Sequence, residues 1–248
     1  MKLNHNLLLL KSLLFKSNKS VKNSFRIINY HNIPNKFLYN FEKQINFYLN
    51  NYDLISPKNL EILNNNKIKL KNIMITFDDG LASTKKILNI LNKYKIKAIF
   101  FVISDFIELN DVRSIKKFIE NNLCLKNSNY NFEDYKNLKL NDLFQILEMG
   151  HTIGFHSKSH LNFGKDLENN LIYDQVITSA NTLEKKLGNI SIKHFAYPFG
   201  DYSSISLKCN NILKKKYKYI YSGIRGENNI NLINNNKIIK RDEISPDY

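Results

Sequence analysis

Short apolar runs alternate with longer stretches of helical periodicity along most of the chain. FRIINYH (Phe25–His31) reads as a short strand ending in a polar residue. In NFEKQINFYLNNY the apolar residues Phe41, Ile45, Tyr48, Leu49 and Tyr52 recur at helical spacing, which predicts an amphipathic helix. KNIMITFDDG returns to strand character. STKKILNILNKY predicts a helix with Ser83 or Thr84 as its cap and Ile87, Leu88, Leu91 and Tyr94 on one face. KAIFFVI (Lys97–Ile103) is continuously apolar, as expected of a strand covered on both faces.

Residues 104–139 are less regular: SIKKFIENNL has helical character and NSNYNFEDYKN that of a loop. LNDLFQILEMG predicts a helix closed by Gly150, HTIGFHS a strand, and DQVITSANTLEKKLG a helix ending at Gly188. HFAYPFG is strand-like and stopped by Pro198 and Gly200. A helix over SLKCNNILKKKY, a strand over KYIYSG and a last strand over KIIKRDEI complete the pattern. Such alternation implies parallel strands joined by right-handed crossovers. With seven candidate strands and neither a repeat nor a linker, the expectation is one α/β domain, open or closed into a barrel.

Composition changes this picture little. The 248 residues are 43% hydrophobic and 12% aromatic, enough for a folded core. The formal charge of +15 invites a nucleic-acid reading, but the lysines are spread along the chain and rise together with Asn and Ile in runs such as NNNKIKLKN. That joint enrichment is the mark of AT-rich codons, so no specific nucleic-acid binding is expected; attraction to anionic polymers or lipid surfaces follows from charge alone. Cys124 and Cys209 form no CxxC and make neither a zinc ribbon nor a disulfide framework. Residues 1–41 hold seven Lys or Arg and no acid. The segment LLLLKSLLF, broken by Lys11, is too short to span a bilayer and lacks a small-residue cleavage site. It reads as a weak targeting sequence, a surface-lying amphipathic helix or a short packing extension. Residues 1–23 are therefore expected to form a basic extension and residues 24–248 the folded domain. Without a clear signal peptide or transmembrane segment, a cytoplasmic or peripheral-membrane place is favoured; oligomeric state is not legible.

The unusual polar residues fall at strand ends: His31 after the first strand, Asp78 and Asp79 after the second, His156 after the strand from His151, then the YPFG turn. In parallel α/β folds, the carboxyl ends of different strands converge on one face, where active sites form. Adjacent carboxylates repel and raise one another's pKa, so ITFDDG is either a solvated turn or a site with a positive partner. HSKSH places two imidazoles four residues apart; they would share a face on a helix and can also converge at a strand-to-loop corner. With a carboxylate they make a three-ligand set that leaves coordination positions open. One aspartate would then hold the cation, and the other, kept ionised by it, would accept a proton. His5, His151 and His194 lie in the extension or at strand starts, away from this face.

TFDDG, HSKSH and FAYPFG, in this order, resemble the polysaccharide deacetylase family, the NodB-homology carbohydrate esterases. The resemblance runs from about Phe25 to the C-terminus and includes KAIFFV after TFDDG and EMGHTIGFHS leading into HSKSH. It implies a single-domain distorted (β/α) barrel with fewer than the usual eight strands, about seven here. It also implies that Asp79, His156 and His160 hold a divalent metal, that Asp78 is the general base, and that the Phe199 backbone N–H helps bind an oxyanion. Zinc is the default for a His–His–Asp set; cobalt, nickel, manganese and iron fit similar sites. The implied reaction removes acetyl from an N-acetylated amino sugar.

Two departures stand out. Many members carry an arginine directly before a Pro-Pro-Tyr-Gly turn, where this chain has Ala196. The arginine's partnership with the carboxylates is then missing or supplied elsewhere, by Arg225 or Arg241. Many members also carry a late Leu-x-His that supplies the acid, and here no histidine follows His194. YHNI (Tyr30–Ile33) resembles the opening motif of members with a circularly permuted barrel, including biofilm poly-N-acetylglucosamine deacetylases, in which the first strand supplies that histidine. His31 would take the role. Alternatives are an amidase acting on another small-molecule C–N bond and a catalytically silent carbohydrate-binding protein. Substrate size would be set by loops 104–139 and 201–206, where Tyr130, Phe132, Tyr135 and Tyr202 either stack on sugars or pack.

Overall fold

A computed structural model describes residues 24–61, 72–126, 130–229 and 238–247. The basic extension over 1–23 lies outside the described residues. One curled sheet of nine strands organises the rest: β1 (Ser24–Tyr30), β2 (Asp53–Leu54), β3 (Asn72–Phe77), β4 (Ile99–Val102), β5 (Thr152–Phe155), β6 (His194–Ala196), β7 (Tyr219–Tyr221), β8 (Asn228–Asn229) and β9 (Asp242–Glu243). The order is β7-β6-β5-β4-β3-β1-β8, with β2 beside β3 and β9 beside β1. All pairings are parallel except the short antiparallel contact of β8 with β1. This is the distorted (β/α) barrel that the family resemblance implied, where the alternating pattern had left an open or a closed parallel sheet as alternatives. The strands β2 and β8 are two residues long, too short to leave a periodic signal.

Every central strand is buried on both faces, and alternate residues serve two cores. Phe25, Ile27, Met74, Ile99, Phe101, Ala196, Tyr219 and Tyr221 form an inner cluster. Their neighbours Ile28, Tyr30, Ile75, Phe77, Phe100, Val102, Phe155 and Phe195 pack outward with helix residues such as Phe41, Ile45, Leu91 and Leu143. A third, smaller core gathers Leu81, Ile103, Phe106, Ile115 and Ile119, with Tyr130, Phe132 and Tyr135 against it.

The strand expected over KIIKRDEI is divided. Ile239 bridges to Tyr221 of β7, and β9 pairs with Ile28 and Asn29 of β1. One segment thus links the two sides of the curled sheet. The helix expected over STKKILNILNKY also differs: a 3-10 turn over Ala82–Lys85 precedes a helix over Leu88–Lys93. Neither Ser83 nor Thr84 caps it. The Ser83 hydroxyl instead accepts the Ile33 N–H at 3.2 Å, and Thr84 Oγ1 donates back to the Leu81 carbonyl. NSNYNFEDYKN, expected as loop, contains a single helical turn at Phe132–Tyr135. Both cysteines are free thiols, Cys124 exposed and Cys209 buried. Among the described residues, no helix is long and apolar enough to cross a membrane.

Gly154 shows how tightly the inner cluster is filled. A Cβ there would lie 2.4 Å from two ring carbons of the fully buried Phe101. Gly154→Ala is therefore expected to cost about 1–3 kcal/mol through overpacking. Urea unfolding checks this; an unchanged midpoint would refute it.

Candidate active site

Strand register brings the polar residues level. Tyr30 pairs with Phe77, and the Asp78 N–H continues the ladder to the Tyr30 carbonyl, so His31 and Asp78 leave their strands side by side. Val102 pairs with Phe155 and Phe155 with Phe195, which sets His156 beside Ala196. His156 Nδ1 then donates to the Ala196 carbonyl at 2.8 Å. His160 Nδ1 donates at 2.7 Å to the carbonyl of Asn122, the last residue of the Val112–Asn122 helix, where carbonyls lack helical partners. The HSKSH turn itself is held by Ser157 Oγ, which accepts the His160 N–H, and by Gln175, whose carbonyl and side-chain oxygens accept the Lys158 and Ser159 N–H groups. Gln175 lies in a π-helical stretch, Asp174–Thr178, a distortion that marks functional sites in helices.

Because carbonyl oxygens only accept, both imidazoles carry their proton on Nδ1 and turn an Nε2 lone pair inward. The Nε2 atoms of His156 and His160 each stand 3.5 Å from Asp79 Oδ1. That oxygen is buried and has no hydrogen-bond partner among the described residues. Two imidazole nitrogens and this orphaned carboxylate oxygen make three donors that fit a divalent cation: with bonds of about 2.0–2.1 Å, tetrahedral ligands stand about 3.3 Å apart. Burial raises the Asp79 carboxyl, but the imidazoles of His156, His31 and His160 outweigh it and bring it far below its usual range. Burial brings His160 down to about 4, while His156, also lowered by burial, is carried up by Asp78 and Asp79.

Asp78 is compensated differently. Arg241 Nη1 and Nη2 reach its two oxygens at 2.7 Å each, and Asn29 Nδ2 donates to Oδ2 at 3.0 Å. Burial pushes this carboxyl up; Arg241 first, then His156 and His31, reverse the shift to a net lowering. Arg241 is itself buried and donates further to the Ser222 carbonyl and Asn29 Oδ1. His31 Nε2 lies 3.9 Å from Asp78 Oδ2, and His31 Nδ1 lies 3.4 Å from Glu243 Oε1. The Phe199 N–H takes no partner among the described residues, and the Phe199 ring lies 4.7 Å from that of His160. A cavity of about 100 Å³ is enclosed by His31, Asp78, His156, Phe199, Arg241 and Glu243 among others.

The polysaccharide deacetylase family matches residues 65–218, more than half of the chain. The chain belongs to this family. No curated protein matches it. Among solved structures it is similar to the Streptococcus pyogenes deacetylase PplD in complex with acetate, at 20% identity and a TM-score of 0.68 over 91% of this chain and 94% of that one. It is also similar to IcaB from Ammonifex degensii (17% identity, TM-score 0.68, 91% and 93% covered) and to the BpsB deacetylase domain from Bordetella bronchiseptica (14%, 0.68, 92% and 98%). These likenesses bear on the fold, which is the NodB-type barrel of the family. As a polysaccharide deacetylase, the chain is a hydrolase of carbon–nitrogen bonds other than peptide bonds.

In this deacetylase the structure brings together Asp78, Asp79, His31, His156, His160 and Phe199. Of the two arginines that could fill the place left by Ala196, Arg241 reaches Asp78, while Arg225 lies 3.6 Å from Asp242. Asn29, Gln175, Glu243 and the Asn122 carbonyl join the site without belonging to any of the sequence motifs, and the Ala196 carbonyl joins it from within FAYPFG. Asn29 alone leaves a signal, as a polar residue inside the apolar run FRIINY. His151 and His194 stay outside the cluster: His151 Nδ1 accepts the Ala98 N–H, and His194 Nδ1 meets the Tyr221 hydroxyl at 2.8 Å.

Removing Arg241 leaves a buried carboxylate unpaired, so Arg241→Leu is expected to cost about 3–5 kcal/mol in unfolding free energy; a loss below about 1 kcal/mol would show that Asp78 is balanced otherwise. Burial, then Lys97, brings His151 down to about 4, below its unfolded value of about 6.5. A depressed folded pKa gives stability that is complete above about pH 6.5 and lost as pH falls toward 4. Unfolding free energy should fall through that window, and His151→Gln should make the fall shallower; an identical slope would sink this assignment.

Proposed function

We propose that the chain is a divalent-metal-dependent deacetylase that removes acetyl from N-acetylated amino sugars of a polysaccharide or glycoconjugate. The observation that carries this reading is the convergence of Asp79, His156 and His160 on one orphaned oxygen, with Asp78 and His31 alongside. Asp79, His156 and His160 hold the cation, with zinc the first choice for this donor set and cobalt, nickel, manganese or iron the substitutes. When bound, the cation supplies Lewis-acid polarisation of the amide carbonyl and acidifies water.

The chain's own residues do the rest. A carboxylate offers about four lone-pair sites, and Arg241 and Asn29 take three of those on Asp78. One on Oδ1 stays free to take a proton from the attacking water. The Phe199 N–H, unpartnered among the described residues, donates to the oxygen that gains charge as water adds to the carbonyl carbon; such a donor is worth about 3 kcal/mol. As the C–N bond breaks, His31 gives its proton to the departing nitrogen. Glu243 Oε1 lies 3.4 Å from the other ring nitrogen, Nδ1, and orients the imidazole for this transfer. Acetate and a free amino sugar result.

The test is acetate release from N-acetylglucosamine oligomers by chelator-stripped protein before and after zinc or cobalt is added. Release should return with metal. Asp78→Asn should abolish it while one metal per chain is still bound, His156→Ala should lose the metal as well, and His31→Ala should lower turnover by about 10²–10⁴-fold. Metal binding without acetate release from any oligomer would refute the reading. Near-normal turnover by His31→Ala would remove His31 from the acid role.

A further inference from the structure

The cavity at Asp78 and His31, about 100 Å³, is far smaller than the roughly 300–1,000 Å³ of ordinary small-molecule sites. It has room for an acetamido group, and the sugar chain must lie elsewhere. A second cleft, about 430 Å³, opens between the turn after β1 and the short helix Phe132–Tyr135. Its lining includes Asn32, Asn35, Tyr130, Asn131, Asp134 and Tyr135. Asn32 directly follows His31 in sequence. The opposite wall is tied to the turn after Asp79, since the Ala82 N–H donates to the Lys136 carbonyl at 2.7 Å and the Leu138 N–H to the Gly80 carbonyl at 2.8 Å. The cleft therefore abuts the catalytic strand ends on both sides.

We propose that this cleft is a saccharide subsite that holds the sugar residues adjoining the one being deacetylated, an assignment that rests on the deacetylase reading above. Tyr130 and Tyr135, edge to face with centroids 5.5 Å apart, are half-buried against the third core and present amphipathic rings to the cleft, suited to the C–H face of a pyranose. Asn32 Oδ1 is buried and has no partner among the described residues, an acceptor in place for a hydroxyl or amide N–H. Asp134, buried and bonded to Asn131 Nδ2 at 3.0 Å, adds a fixed polar edge. One lysine, Lys36, lines the cleft with this one carboxylate, a balance that suits a neutral polyhydroxylated ligand.

Calorimetric binding of N-acetylglucosamine pentamer to metal-loaded Asp78→Asn protein tests the subsite. Adding Tyr130→Ala with Tyr135→Ala should weaken binding about ten-fold, the equivalent of about 1.4 kcal/mol. Asn35→Trp should weaken it comparably, because Asn35 is exposed and the larger ring fills the cleft without removing a core contact. Unchanged pentamer affinity in Asn35→Trp, or no pentamer binding by the parent, would overturn the proposal even if the double variant fails to fold. Acetate release by the unsubstituted protein reports separately. Release combined with variant-insensitive binding removes the subsite alone, and cleft-dependent binding without release removes the deacetylation reading alone.

Discussion

Two adjacent carboxylates, only 2% and 8% exposed, sit at the mouth of an apolar barrel, and much of the surrounding structure follows from the need to balance them. An ion taken out of water costs several kcal/mol unless paired and hydrogen-bonded. Asp78 is balanced by a bidentate guanidinium that spends two further donors on Asn29 and Ser222. The guanidinium carbon also lies 5.1 Å from the Phe101 ring and 6.0 Å from Tyr221, so its charge meets aromatic faces inside the barrel. Asp79 has no such partner and faces two imidazole lone pairs instead. The two acids are neighbours in sequence with opposite environments, and that difference is the basis of the separate roles proposed for them.

The same economy shapes the backbone. Asp79, Ser157, His160 and Phe199 all have positive φ, between 59° and 70°, where side chains other than glycine are uncommon. All four lie at the carboxyl ends of strands and in or beside the cluster. Each turns the chain sharply enough to aim a side chain or an N–H back over the barrel mouth. Strain concentrated at such positions persists only where surrounding contacts over-determine it. Here those contacts are the Ser157 hydroxyl, the Asn122 carbonyl and the tight Gly200–Gly223 backbone contact.

Much of this is legible in the order of residues alone. Runs such as IMITF and AIFFV suit strands covered on both faces, and the polar residue ending each run marks the barrel mouth. Local motifs carry the three candidate ligands because TFDDG and HSKSH keep their donors close in sequence. What the residue order leaves open is long-range. Arg225 and Arg241 are equivalent as residues, and only the pairing of β9 with β1 and the Ile239 bridge decide which one turns inward. Ser83 resembles a helix cap because its neighbours are helix formers, yet the Ile33 N–H claims its hydroxyl. Two-residue strands and a π-helical stretch leave no periodic trace, and backbone carbonyls that orient histidines leave none at all.

The segment that carries Arg241 has a kinetic consequence. Arg241 meets Asp78 across 163 positions of sequence, and Arg26 meets Asp242 across 216. Contacts this distant must be closed against chain entropy before they return any stabilisation, which slows folding. Until the late segment docks, the sheet keeps two exposed edges and Asp78 has no counter-charge to draw it inward. The cluster around Asp78 thus depends on contacts that close long loops, and the docking that completes it also covers sheet edges open to intermolecular pairing.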